Sequence, residues 1–262
     1  MGMDALSGVA SQFSERLLTL LDRVEYRRVE TGEDMEDIAR LRYRAYKAVD
    51  LMPLTGSTLI DPLDFDDHAF VFGIYLDERL ISTVRVHHVT PEHRASTAGV
   101  IFGQEIDSLL DRGLTLIDPG RFAADPDMDS EDMVAVPYLT LRVACMASEY
   151  FDVDGCLTAC RPRHAAFYRR TFAAETLVAC RKNLGVYNAD GTLLMAPVRE
   201  IRSWLYNRYP VFDSRLFEQR LMFEPDDPAT PRPITIRPTA RLARGRPTGV
   251  IRVGRTGQSA FG

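Results

Sequence analysis

Along residues 6–24 the apolar side chains of Leu6, Val9, Phe13, Leu17, Leu20, Leu21 and Val24 recur every three or four positions, the period of a helix with one buried face. An amphipathic N-terminal helix over residues 1–24, packed on the rest of the chain, is the expectation. The period then changes. Residues 25–29 read as a short strand, and Thr31 stands where it would cap a helix reaching about Tyr46. Arg42 and Tyr46, four apart, share one face of that helix. Between Asp50 and His68 no period holds and Pro53, Gly56 and Pro62 interrupt the chain, which predicts an ordered loop carrying Asp61, Asp64, Asp66 and Asp67.

Residues 69–75 and 80–89 are β-rich runs separated by Asp77-Glu78-Arg79, the pattern of an antiparallel hairpin. Residues 90–113 carry no assignment, and 114–124 read as a fourth strand. A helical period covers 130–150, a strand 155–160 and a second helix 164–173. A strand pair over 177–186 and 192–198 surrounds the turn signal Asn188-Ala-Asp-Gly. Short helical segments follow at 199–206 and 214–223. The order of elements is α+β, a mixed sheet with helices on both faces, in one domain over residues 25–223. From Glu224 onward Pro, Gly, Thr and Arg replace large apolar residues, so residues 224–262 are expected to form a disordered basic tail.

A chain of 262 residues, 45% hydrophobic and 26% charged, suits a soluble globular protein with a sizeable core. Its formal net charge of −5 argues against nucleic acid as a partner, which would require a concentrated basic surface. The tail is the local exception: Arg232, Arg237, Arg241, Arg244, Arg246, Arg252 and Arg255 face only Glu224, Asp226 and Asp227. It is either simply solvated or an electrostatic arm for an acidic protein or for peripheral contact with an anionic membrane. Cys145, Cys156, Cys160 and Cys180 are too few for a disulfide framework, and Cys156 and Cys160 read as core residues of one strand face, so no metal site is expected. No apolar run approaches the roughly 20 residues that cross a bilayer, and a cytoplasmic location is the expectation.

Four short patterns occur in a fixed order: Arg42 with Tyr46, Asp64 with Asp67, Arg85 within a strand, and Asp118-x-x-Arg121-Phe122 on the next. Together they resemble the acyl-homoserine-lactone synthases and their relatives the N-acyl amino acid synthases, within the GNAT-like acyltransferases, over about residues 25–200. The lactone synthases usually carry Glu where this chain has Asp118, and a Trp where it has Met52. The strand ending Leu193-Leu-Met-Ala-Pro-Val looks more like the N-acyl amino acid synthases.

The resemblance implies a GNAT-like fold in which the central and fifth strands splay apart to admit an acyl thioester. It implies N-acyl transfer to an amino acid, with S-adenosylmethionine-dependent lactone synthesis, or a non-catalytic acyl-binding protein, as alternatives. Asp118 is then the candidate that positions or deprotonates the amine. Arg121 joins it as a candidate catalytic residue, and Tyr168 is the candidate acid for the departing thiolate. Arg42, Tyr46, Asp64, Asp67 and Arg85 are candidate substrate-binding residues, as are Phe122, Ala123 and Ala124, whose splayed backbone could supply an amide to the developing oxyanion. The same charged residues could instead form a structural ion network joining Asp118 to Arg121. His87 and His88 fall on opposite strand faces, so at most one can look into a site.

The segment 126–135, Pro-Asp-Met-Asp-Ser-Glu-Asp-Met-Val-Ala, has no glycine and four acids. A pyrophosphate cradle needs close backbone approach and a positive local potential. Coenzyme A is therefore the less favoured donor, and an acyl carrier protein, which brings only a phosphopantetheine arm, is the expected partner, with no resident cofactor. Carrier proteins are acidic, and Arg142, Arg161, Arg163, Arg169 and Arg170 are the candidate docking surface.

Overall fold

A computed structural model of the chain describes residues 3–182, 184, 187–225 and 235–236. The elements in order are α1 (Met3–Leu21), β1 (Val24–Arg28), α2 (Gly32–Ala48), β2 (Ala69–Leu76), β3 (Arg79–Val89), α3 (Thr97–Leu110), β4 (Leu116–Ala124), α4 (Ser130–Met133) and α5 (Val136–Tyr150). Then come β5 (Gly155–Cys160), α6 (Ala165–Phe172), β6 (Glu175–Arg181), β7 (Gly191–Pro197), α7 (Val198–Arg208), α8 (Leu216–Phe223) and β8 (Thr235–Ile236). The strands form one sheet in the order β6-β7-β5-β4-β3-β2-β1-β8, antiparallel throughout except where β4 meets β5.

Helices cover both faces. On one, α1, α5, α6, α7 and α8 bury Leu17, Leu21, Val143, Phe172, Leu205 and Phe223 in a single apolar cluster with Phe72, Val84 and Ile117 of the sheet. On the other, α3 packs Phe102, Ile106 and Leu110 onto Leu116, Leu157 and Leu193, and α2 packs Met35 and Ile38 onto Val71. Because α1 contributes to the main cluster, it is part of the core rather than an appendage.

Local chemistry explains most boundaries. Thr31 caps α2 in a reciprocal box with Asp34, as its position predicts. Asp77 and Glu78, with φ of 47° and 66°, make the two-residue turn between β2 and β3, the left-handed pair that matches strand twist. The helix expected over 130–150 is interrupted at Val134 and Ala135, with Pro137 in the first turn of α5, where a missing N–H costs nothing. Of the strand expected over 177–186, β6 covers the residues up to Arg181, β7 begins at Gly191, and residues 183, 185 and 186 lie outside the described residues.

Helix α3, which fell in the unassigned residues 90–113, is kinked at Phe102 (φ −125°, ψ 38°). Arg181 of β6 donates to the Ile101 carbonyl next to the kink (2.6 Å) and to Glu105. The expected disordered tail lies outside the described residues except for Glu224 and Pro225 and for Thr235–Ile236, whose backbone pairs with Tyr26 and Arg27 of β1.

Candidate active site

Strands β4 and β5 pair only at Leu116 with Gly155 and Ile117 with Cys156. Beyond that, β4 follows β3 as far as Ala124 and β5 follows β7 as far as Cys160. The strands therefore diverge, and the β4 edge from Asp118 to Ala124 has no strand partner on the β5 side. A cleft of about 500 Å³ opens at the divergence. Its walls come from the end of α2 (Tyr46, Val49), from Asp118 to Ala124, from Thr97 and Ile101 of α3, from Cys160, Arg161, Arg163 and Tyr168, and from Leu184 and Tyr187.

A bulge in β4 aims the central residues. Gly120 pairs with Arg85 and Ala123 with Thr83, so Arg121 and Phe122 together oppose the single residue Val84. Arg121 takes up the kink with φ of 53°, a left-handed conformation that costs a side-chain-bearing residue on the order of 1 kcal/mol or more. The surrounding contacts hold it there. Arg121 Nε donates to Asp61 (2.5 Å) and Nη1 to the Tyr187 hydroxyl (3.0 Å). Gly120 is required beside it, because a Cβ there would lie 2.5 Å from Thr97 Oγ1.

Behind Arg121 sits a buried ion cluster. Arg42 Nη1 donates to both oxygens of Asp64 (2.8 and 2.9 Å), and Arg85 Nη1 donates to Asp64 (2.9 Å) and Asp61 (2.7 Å). Arg85 Nη2 reaches Thr97 Oγ1 (2.7 Å), which ties the cluster to the first turn of α3. The side chains of Arg42, Asp64 and Arg85 have 0% exposure. Burial raises the Asp61 pKa, but Arg121 and Arg85 outweigh it and hold the carboxyl below its ordinary value; burial also lowers Arg42, against the pull of Asp64. Arg42, Arg85 and Arg121 face only Asp61 and Asp64. The cluster therefore carries one net positive charge, and Arg121 is its member that lines the cleft.

The inward carboxylate pair is Asp61 with Asp64, in place of the expected Asp64 with Asp67. Asp61 caps the short 3-10 turn Pro62–Phe65 and receives the return hydrogen bond from its own N–H to Asp64 (2.9 Å). Asp67 lies beyond that turn, exposed and outside the cluster. The Asp-Pro start of the turn was the sequence signal for this register. Tyr187 and Thr97 carried no comparable signal, since one lies on the β6–β7 connection and the other starts the unassigned helix.

Asp118 stands apart from this network. It lies opposite His87 in the β3–β4 register, and its Oδ2 accepts the Ala98 N–H at the first turn of α3 (2.7 Å). Among the described residues it forms no ion pair, so the single network joining Asp118 to Arg121 is not present. Asp118 is 1% exposed yet lines the cleft. Tyr46 and Tyr168 also line it, and burial raises both phenols. Phe122 is half-exposed at the rim, while Ala123 is buried. Neither His87 nor His88 reaches the cleft; His87 is fully buried, and His88 stacks on Phe151 at 4.2 Å. Burial pushes the Cys160 thiol up to about 11, which leaves this cleft-lining cysteine a poor nucleophile at neutral pH.

The expected arginine surface is one residue smaller. Arg142 is buried within α5, where it donates to the carbonyls of Val211 and Asp213 (2.8 Å each) and to Glu218 (3.2 Å), joining α5 to α8. It cannot serve a docking partner. Arg161 and Arg163 line the cleft, Arg169 and Arg170 are exposed on α6, and none of the four forms an ion pair among the described residues. The same residues contain no group of His, Cys, Asp and Glu able to hold a metal ion.

Comparison with known proteins agrees with this geometry. A family model described as N-acyl amino acid synthase FeeM matches residues 37–197. The chain is similar in fold to the structure of FeeM, an N-acyl amino acid synthase from uncultured soil microbes, at 18% identity and a TM-score of 0.56, over 69% of this chain and 94% of that one. It is also similar to TofI, solved in a ternary complex with an inhibitor and MTA, at 12% identity and a TM-score of 0.51, over 67% of this chain and 91% of the other. No curated protein matches. With the family model spanning more than half of its length and the splayed-strand GNAT-like fold beneath it, the chain belongs to the N-acyl amino acid synthase FeeM family and is an acyltransferase.

Proposed function

We propose that this acyltransferase moves a medium- or long-chain acyl group from an acyl carrier protein thioester to the amine of an amino acid. The observation that carries the reading is the separation of β4 from β5 beyond Ile117, which opens an unpaired strand edge between Asp118 and the cluster charge at Arg121.

The amine of an amino acid is an ammonium ion at neutral pH and must lose a proton before it can attack. Asp118, held as an acceptor by the Ala98 N–H, takes that proton directly or through a water. The neutral amine then adds to the thioester carbonyl. Backbone amides along residues 122–124, without a partner on the β5 side, stabilise the oxyanion. Collapse breaks the C–S bond and expels the thiolate, and the second amine proton leaves to give the amide. Tyr168 keeps its proton because of burial, so its role is to donate a hydrogen bond to the departing sulfur. The cluster's net positive charge, of which Arg121 is the cleft-lining member, suits the acceptor's carboxylate.

Two features favour a carrier protein over coenzyme A. The approach to α5 is acidic: Glu131 and Asp132 pair with Arg16, and Asp127 with Arg44, which suits no pyrophosphate. Arg161 and Arg163 at the cleft, with Arg169 and Arg170 exposed on α6, offer positive charge free of ion pairs among the described residues to an acidic carrier. The test compares one acyl chain on carrier protein and on coenzyme A, each with mixed amino acids or with S-adenosylmethionine. Faster amide formation from the carrier with amino acids is expected. A lactone product, or equal rates from both donors, would overturn this assignment.

A further inference from the structure

A second cavity of about 40 Å³ lies on the far side of the strand divergence, with an almost wholly apolar lining. Pro119, Leu141, Thr158 and Tyr168 line both it and the cleft. Helix α5 runs away from that shared wall. Leu141 stands at the wall, Cys145 one turn on, and Ser148 at the far end, about 10 Å further at 1.5 Å per residue. There the lining changes character. Arg202 and Tyr206, one turn apart on α7, close the end, and both bond to Glu149 of α5: Arg202 Nε at 2.9 Å and the Tyr206 hydroxyl at 2.5 Å. Arg202 Nη2 also reaches Asp152 (3.1 Å), and its side chain is 37% exposed. These groups therefore stand between the apolar cavity and solvent.

An acyl chain whose thioester lies in the cleft has an apolar continuation through the divergence and along α5. We infer that Tyr206 and Arg202, braced against Glu149, form a polar plug that sets the longest acyl chain the enzyme accepts. The inference rests on the proposed acyl transfer and adds to it the residues that select the substrate. A chain reaching the plug must either bend or drive methylenes against a charged, hydrogen-bonded pair that cannot be moved without leaving Glu149 without its partners. Shorter chains leave the plug untouched.

The test reads chain length in two ways. Saturated acyl thioesters of graded length are compared by kcat/KM, and the free fatty acids of the same lengths by the rise in Tm they produce. In Tyr206→Ala the ratio of the first excluded length to the longest accepted one rises about tenfold, the discrimination one methylene gives in an apolar pocket, and the length giving the greatest Tm rise moves upward. Ser148→Leu, which fills the same end, moves both readings to shorter chains; Tyr206→Phe, which keeps the ring, moves them least. If wild type turns over no thioester but the fatty-acid optimum moves as stated, the proposed function fails and the plug stands. If turnover occurs and neither reading moves in Tyr206→Ala or Ser148→Leu, or if fatty acids of every length stabilise wild type equally, the plug is wrong.

Discussion

Two carboxylates in this site, Asp118 and Asp61, do opposite things because of what surrounds them. Asp118 answers a backbone N–H at the start of α3, and no guanidinium pairs with it among the described residues. Replacing it with Asn keeps its size and its acceptor oxygen while removing the proposed base, so kcat should fall about 100- to 10,000-fold with Tm little changed, as steady-state kinetics and calorimetry would show. Asp61 is held by Arg85 and Arg121, which put its folded pKa below the ordinary 3.8. Its contribution to stability is thus complete above about pH 4 and is lost as pH falls through the folded pKa. In urea denaturation, wild type should exceed Asp61→Asn at pH 7, and the gap should narrow near pH 3; a gap independent of pH would mean that the carboxylate's charge is not what matters. The resemblance to the acyl-homoserine-lactone and N-acyl amino acid synthases, rather than period or spacing, made Arg42, Arg85, Asp118 and Arg121 candidates. It missed Asp61 because two Asp-x-x-Asp frames overlap, and only the turn beginning at Pro62 decides between them.

At the scale of elements, the β4 bulge and the short pairing of β4 with β5 create the site together. One turns Arg121 into the cleft, and the other leaves the strand edge free. Neither is written in the periodicity of residues 114–124, since a bulge is a single added residue and a divergence is a property of two strands distant in sequence. The missed helix α3 has the same kind of cause. Gly99, Gly103 and the kink at Phe102 break its period, and the contacts that hold it come from Arg85, Asp118 and Arg181 on three different strands. The segment from Arg161 to Arg170 carries the expected docking charge. Reversing Arg169 and Arg170 together to Glu should raise KM for the acyl carrier roughly tenfold or more and leave turnover of a carrier-free acyl pantetheine nearly the same, since neither lines the cleft. Equal losses on both donors would point to damage inside the cleft instead.

For the whole molecule, the sheet is one continuous surface from β6 to β8, and α1 closes one side of its core. Leu21 is fully buried there, so Leu21→Ala should cost about 2–5 kcal/mol, read from denaturant midpoints; a loss below 1 kcal/mol would mean that α1 packs only loosely. The α+β class and the succession of strands along the chain up to β5 could be read from the sequence because they follow from local period. The edge pairing of Thr235–Ile236 with β1 could not, because it depends on a contact across most of the chain. No helix among the described residues is long and apolar enough to cross a membrane. The measurement that bears most directly on the account is a mass-spectrometric search for new amides after incubating the purified protein with long-chain acyl carrier proteins and the common amino acids, beside Asp118→Asn. The account predicts an N-acyl amino acid that forms with wild type and all but disappears with the variant. No amide from any donor, or equal amounts from both proteins, would contradict it.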